Sequence, residues 1–79
     1  MEQAQLLQRF ERDSSWFYKN IDKLRKQGYT EQFVAIKNAK PIAADKDIDI
    51  VIRKLDKEGE NPSFVFIEFV HPDGYVLLL

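Results

Sequence analysis

The fold is decided at residues 33–44, Phe-Val-Ala-Ile-Lys-Asn-Ala-Lys-Pro-Ile-Ala-Ala, where two short apolar runs flank a polar turn. This pattern predicts a β-hairpin with strands at 33–36 and 41–44. Asn38 tolerates the positive φ of a tight hairpin turn, but Ala39 does not supply the glycine that a two-residue turn prefers, so a longer or bulged turn is an alternative. Pro41 has no N–H to donate, which predicts that the second strand lies at a sheet edge.

A helix and a strand are predicted after the hairpin. Apolar residues recur at i, i+3, i+4 and i+7 in a segment that Asp45 or Asp47 caps and Gly59 closes: Ile48, Val51, Ile52 and Leu55. Residues 63–70 are apolar at nearly every position, which is typical of a central strand. His71-Pro72-Asp73-Gly74 then predicts a type I turn that leads into a fourth strand at 75–79.

Two helices are predicted before the hairpin. Leu6, Leu7 and Phe10 give residues 3–12 a narrow amphipathic stripe. The run Asp13-Ser14-Ser15 then has the side chains of an N-cap, which predicts a second helix that continues to about residue 26 and ends before Gly28.

Joining these elements predicts an α+β fold of order ααββαββ: two N-terminal helices, a β-hairpin, a helix and a C-terminal β-hairpin. A right-handed crossover through the third helix places the third strand parallel to the second. We therefore expect a mixed four-stranded sheet in the order 2-1-3-4. We expect residues 1–79 to form one domain, with residues 1–12 as an accessory N-terminal helix.

Composition narrows the class of protein. The 79 residues include no cysteine, so disulfides and thiolate metal sites are excluded and a reducing compartment is expected. Twelve basic against thirteen acidic residues give a net charge of −1, which argues against a nucleic-acid partner. With no signal-peptide pattern and no apolar run long enough to span a bilayer, we expect a cytoplasmic protein with no membrane partner.

A wider pattern carries a family resemblance. It comprises Trp16, Asn20, Leu24, Tyr29, the Val34-Ala35-Ile36 strand, Lys40, Ile42-Ala43 and Asn61-Pro62-Ser63. The chain resembles a family of short, largely archaeal and bacterial domains of unknown function, which has a Trp-led helix, a tyrosine and a Val-Ala-Ile strand. The resemblance implies a helix, a hairpin, a helix and a strand, with no activity or cofactor. Gly28 and Ala39 depart from the pattern.

Each candidate for chemistry lacks a group that the chemistry needs. Asp45, Asp47, Asp49 and Asp56 have the spacing of a calcium loop, but Ile50 stands where such a loop turns at glycine. His71 is the only histidine, and Glu68 should point to the opposite face of the strand from it. We therefore predict no enzyme activity, no metal site and no cofactor. Helix capping and a solvated helix surface explain the remaining polar candidates: Ser14, Ser15, Lys19, Lys23 and Lys26.

The strand aromatics give the functional hypothesis. We expect Phe33, Phe64, Phe66 and Tyr75 on one sheet face, and the aliphatic positions with Phe69 on the other: Val34, Ile36, Val65 and Ile67. Either the first helix covers the second face or that face stays open for a partner. The hypothesis is a non-enzymatic module that forms a homodimer or binds a protein partner, and the residues expected to carry it are Phe33, Phe64, Phe66, Tyr75, Leu77 and Leu79. The alternative is a weak nucleic-acid-binding or regulatory accessory protein.

Overall fold

A computed structural model of the chain describes residues 2–73, with side chains from residue 5 onward. It has three α-helices, three strands and one 3₁₀ turn. Their bounds are α1 Glu2–Lys19, α2 Ile21–Lys26, β1 Phe33–Ile36, β2 Pro41–Asp45, α3 Ile48–Lys57, the 3₁₀ turn Pro62–Phe64 and β3 Phe66–Phe69. The α+β class is confirmed, whereas the predicted fourth strand at 75–79 lies outside the described residues.

The N-terminal helices are divided differently from the prediction. α1 runs without a break through Asp13 and Ser14, so the predicted helix start at these residues is wrong. The Asp13 carboxylate accepts the backbone N–H of Ala39 at 3.0 Å instead of capping a helix, and the Ser14 hydroxyl donates to the Glu11 carbonyl. Both side chains therefore find hydrogen-bond partners without ending the helix.

The break between α1 and α2 falls at Asn20. Its side-chain amide donates to the Trp16 carbonyl at 2.8 Å, the same oxygen that accepts the Asn20 backbone N–H. A short polar side chain that bonds the backbone in this way disturbs the regular helical ladder. α2 then ends as predicted, and Gly28 follows with a φ of 93°.

The β1–β2 hairpin is confirmed. The backbone N–H groups of Lys37 and Lys40 each donate to the carbonyl of the other residue, at 2.9 and 3.2 Å, so only two residues form the turn. Asn38 and Ala39 have φ angles of 53° and 59°, the left-handed conformation of a type I′ turn. The longer turn is therefore not formed, although an irregularity between Ala35 and Ile36 shifts the register beside Pro41.

The sheet order is β2-β1-β3, which agrees with the first three positions of the predicted order. β1 pairs antiparallel with both neighbours, so this part of the sheet is antiparallel and not mixed. The predicted third strand is also shorter than expected, because Asn61 accepts the Ser63 N–H and starts the 3₁₀ turn where a strand was predicted.

Both sheet faces are covered by helices. α1 and α2 cover one face with a buried cluster that comprises Phe17, Leu24, Val34, Ile36 and Val70. α3 covers the other face with a second cluster, Ala35, Val51, Leu55 and Val65. α1 therefore shields the face that the sequence left open.

The predicted membership of the two faces is wrong. Ile36 lies opposite Phe66, and Phe33 lies opposite Phe69. Directly opposite residues share a face and successive residues alternate, so Phe33 and Phe66 point to opposite sides. Val65 and Ile67 likewise pack with the α3 cluster, and not with Val34 as predicted.

We predict that Asp13→Ala lowers the free energy of unfolding by about 1–3 kcal/mol, because the Ala39 N–H loses its acceptor in a half-buried place. Urea denaturation measures this loss. Ser15→Ala, at an exposed position of the same helix, is the matched control and should change stability little. Equal stability of the two variants would contradict a role for the Asp13 carboxylate.

We predict that Ala39→Gly stabilises the chain by up to about 1 kcal/mol, because glycine adopts the left-handed conformation without steric cost. Ala39→Val should destabilise it, since a β-branched side chain is more strained at positive φ. Urea midpoints of the two variants are compared with that of the parent chain. If the valine substitution left the chain as stable as the glycine substitution does, the turn conformation would have to be different.

Candidate functional site

An open groove lies between the N-terminal half of α1 and the 3₁₀ turn. It has a volume of about 340 Å³ and is lined by Gln5, Leu6, Arg9 and Phe64. Its two apolar walls come from distant parts of the sequence. The fold brings them together at the end of the sheet where β3 begins.

The groove exists because the apolar stripe of α1 extends past the buried core. Leu6, Phe10, Asp13 and Phe17 are spaced by four, three and four residues, so they lie along one helix face. Phe17 is fully buried against the sheet and contacts Phe66, with ring centroids 5.7 Å apart. Phe10 and Leu6 are only half-buried, so the stripe becomes progressively exposed toward the N-terminus.

The 3₁₀ turn places Phe64 at the groove. Asn61 caps the turn, Pro62 occupies its first position, and the Phe64 N–H donates to the Asn61 carbonyl at 2.9 Å. The Phe64 side chain remains 50% exposed. A large aromatic ring held half in water by a defined turn is a candidate for contact with another molecule.

Arg9 gives the groove a positive charge without a described counter-ion. It is half-buried, and no carboxylate of the described residues pairs with it. By contrast, Arg12 lies 3.6 Å from the Asp13 carboxylate, and Arg25 lies 2.7 Å from that of Asp22. Among the described residues, Arg9 is thus the arginine of these two helices that has no carboxylate partner.

The structure separates the aromatic residues that were predicted to act together. Phe33 packs edge to face on Phe69 with centroids 5.1 Å apart, on the α3 side of the sheet. Phe66 packs on Phe17 on the α1 side. Phe64 is the exposed one of the three, while the predicted residues Tyr75, Leu77 and Leu79 lie outside the described residues. Leu6 and Arg9 were missed, although the stripe of the first helix already marked Leu6.

The two outer strands differ in how their edges are protected. At β2, the Lys54 ammonium donates to the Ala44 carbonyl at 2.8 Å and lies 3.9 Å from the Asp45 carboxylate. A lysine beside an edge strand discourages pairing with another chain. β3 has β1 on one side, and on its other side no strand from the described part of the chain.

The aspartates of the calcium-like spacing stabilise local structure. Asp45 accepts the Asp47 N–H, and Asp47 accepts the Asp49 N–H at the start of α3, each at 2.9 Å. The predicted N-cap at Asp47 is confirmed. Within residues 2–73, no three side chains of the metal-binding types form a cluster.

The remaining candidate residues, Glu68 and His71, lie in and after β3. The His71 ring packs on Phe69, whereas Glu68 lies opposite Val34 on the α1 side of the sheet. A second open depression contains Arg25 between Asp22 and Asp73, and the Arg25 guanidinium also donates to the His71 carbonyl at 2.9 Å. These contacts fix the segment after β3 to α2.

Glu68 affects one titrating group. Burial, and then the negative charge of Glu68, raise the pKa of the Tyr18 phenol above its ordinary value. A raised pKa favours the neutral phenol in the folded chain. Because the unfolded chain loses this proton first, Tyr18 should weaken the fold as pH rises past about 10.

We predict that Tyr18 titrates above pH 10, the approximate value for a free tyrosine. The difference in phenolate absorbance between the parent chain and Tyr18→Phe isolates this group. Glu68→Gln should lower the pKa of Tyr18 only in part, because burial is the larger cause. A midpoint equal to that of the urea-unfolded chain would show that the fold does not raise the pKa of this phenol.

Comparisons with known proteins identify a family and leave the activity open. No helix of residues 2–73 combines the length and apolar character needed to cross a bilayer. Neither a curated protein nor a solved structure matches the chain. A family described as "Family of unknown function (DUF5678)" matches residues 24–70, from α2 to the end of β3. The match begins after Trp16 and Asn20, so α1 precedes it. Because it includes more than half of the 79 residues, the chain belongs to the family of unknown function DUF5678.

Proposed function

We propose that this chain is a non-enzymatic module that binds another polypeptide, either a protein partner or a second copy, at the groove and the adjoining β3 edge. The observation that carries the proposal is the position of Phe64. Its ring is 50% exposed beside Leu6, while Phe33 and Phe66 pack inside the fold. Exposed aromatic rings in well-defined clefts are typical anchors of protein interfaces.

The covered sheet faces direct binding to this end of the molecule. α1 and α2 lie on one face and α3 lies on the other, so a partner cannot use an open apolar sheet face. The β2 edge has Lys54 beside it. Among the described parts of the sheet, the β3 edge and the adjoining groove remain for a partner.

Magnitudes indicate how much of the surface a partner needs. Complete burial of a phenylalanine side chain is worth about 1.5–3 kcal/mol, so the exposed half of Phe64 supplies roughly 1 kcal/mol. Stable interfaces bury about 800 Å² on each side, far more than one groove provides. Addition of a strand at the β3 edge would supply main-chain hydrogen bonds, and Phe64 would then determine position more than affinity.

A non-enzymatic role is supported by the hydrogen bonds that the candidate catalytic and metal-binding side chains make within the fold. The aspartates near α3 cap backbone N–H groups, and the Asp13 carboxylate accepts the Ala39 N–H. The His71 ring packs on Phe69, and Glu68 lies opposite Val34 in the sheet. None of these groups is among the described lining residues of the groove.

We predict that Phe64→Asn weakens polypeptide binding about fivefold, the change that corresponds to the roughly 1 kcal/mol supplied by the exposed half of the ring. Sedimentation velocity over a wide concentration range measures self-association. Quantitative mass spectrometry of proteins retained on the immobilised full chain measures partner binding. Ile48→Asn is the matched control, because Ile48 is an exposed apolar residue on α3, 39% accessible and remote from the groove lining.

The sedimentation and mass-spectrometry measurements can also contradict the proposal. A chain that stays monomeric and retains the same proteins as its Phe64→Asn variant would exclude binding at the groove. Circular dichroism of both variants establishes that they fold. Equal losses in Phe64→Asn and Ile48→Asn would assign the effect to general surface hydrophobicity.

A further inference from the structure

We propose that the groove recognises a short apolar segment that carries a carboxylate, with Arg9 as the residue that selects the charge. The inference rests on the proposed function and adds the chemistry of the partner. Leu6 and Phe64 would contact the apolar side chain, and Arg9 would pair with a nearby aspartate or glutamate of the bound polypeptide.

Charge complementarity is the first argument. Arg9 lines the groove, is half-buried, and has no ion-pair partner among the described residues. The other arginines of α1 and α2, Arg12 and Arg25, have carboxylates within 4.0 Å. An incoming carboxylate would give Arg9 the paired guanidinium–carboxylate geometry for which arginine is well suited.

The size of the groove is the second argument. Its volume of about 340 Å³ is near the lower end of the roughly 300–1,000 Å³ found for small-ligand pockets. It therefore accepts one or two side chains of an extended segment and not a folded surface. The exposed amide of Gln5 adds a donor and an acceptor that can bond the backbone of that segment.

The apolar walls favour a peptide over a nucleic acid. A phosphate could also pair with Arg9, but nucleic-acid affinity depends on several cations that act together. Among the described lining residues Arg9 is the single cation, and the chain carries a net charge of −1. Leu6 and Phe64 beside one guanidinium fit a segment in which an apolar residue and a carboxylate are close neighbours.

A peptide selection tests the proposal with the full chain. A phage-displayed random heptamer library is selected on the immobilised protein, and the enriched peptides are synthesised with both ends blocked. We expect the enriched peptides to contain an aspartate or glutamate next to large apolar residues. Fluorescence polarisation then measures their affinities.

Two charge variants make the test specific. Arg9→Glu should weaken binding of the acidic peptides at least about tenfold and select peptides with lysine or arginine instead. Arg53→Glu, at an exposed arginine on α3, is the matched control and should leave binding unchanged. Circular dichroism confirms folding of each variant. Phe64→Asn should reduce binding of the acidic peptides to the parent chain and, when combined with Arg9→Glu, binding of the basic peptides.

Five results would overturn the inference. Enriched peptides without acidic residues, or acidic peptides that bind Arg9→Glu unchanged, would show that charge is not selected, while the proposed function would stand. Loss of self-association in Arg9→Glu with no competing peptide would identify a second copy as the occupant. Tight binding of a single-stranded oligonucleotide that Arg9→Glu removes would assign the groove to nucleic acid. No enriched peptide at all, with a monomeric chain, would remove both proposals.

Discussion

The position of α1 depends on the buried carboxylate of Asp13. This side chain is 4% exposed, lies within the helix, and accepts the backbone N–H of Ala39 in the hairpin turn. A buried carboxylate is tolerated only where hydrogen bonds and charge compensate its lost hydration. The Ala39 N–H and the nearby Arg12 guanidinium supply that compensation, so the register between helix and sheet is fixed at one point. Phe17 reaches the sheet, and Leu6 reaches the groove, because this point is fixed.

The same hydrogen bond joins a residue outside the family match, Asp13, to a residue inside it, Ala39. The matched residues 24–70 contain the whole described sheet and α3, but not α1. One sheet face is nevertheless covered by Phe17 from outside the match, together with Leu24 from within it. The antiparallel sheet and α3 lie within the matched residues. α1, which completes the core, lies before them and is held by polar as well as apolar contacts.

The sequence predicted the elements whose signals are local. The hairpin strands, α3 with its Asp47 cap, and the helix end before Gly28 each depend on residues within one or two turns. The continuity of α1 could not be predicted, because the partner of Asp13 is Ala39, 26 residues away. The faces of Phe33 and Phe66 depend on the register between β1 and β3, and a shift of one residue reverses every side chain. For the groove, the stripe at Leu6 was visible, but its neighbour Phe64 is brought there only by the tertiary fold.

The composite lining of the groove separates the residues proposed for binding from those that form the core. Leu6 and Arg9 belong to the first turns of α1, beyond the fully buried Phe17, and contribute little to the core. Under the proposed function, substitutions in those turns would alter which polypeptides bind while leaving the sheet and its two clusters intact.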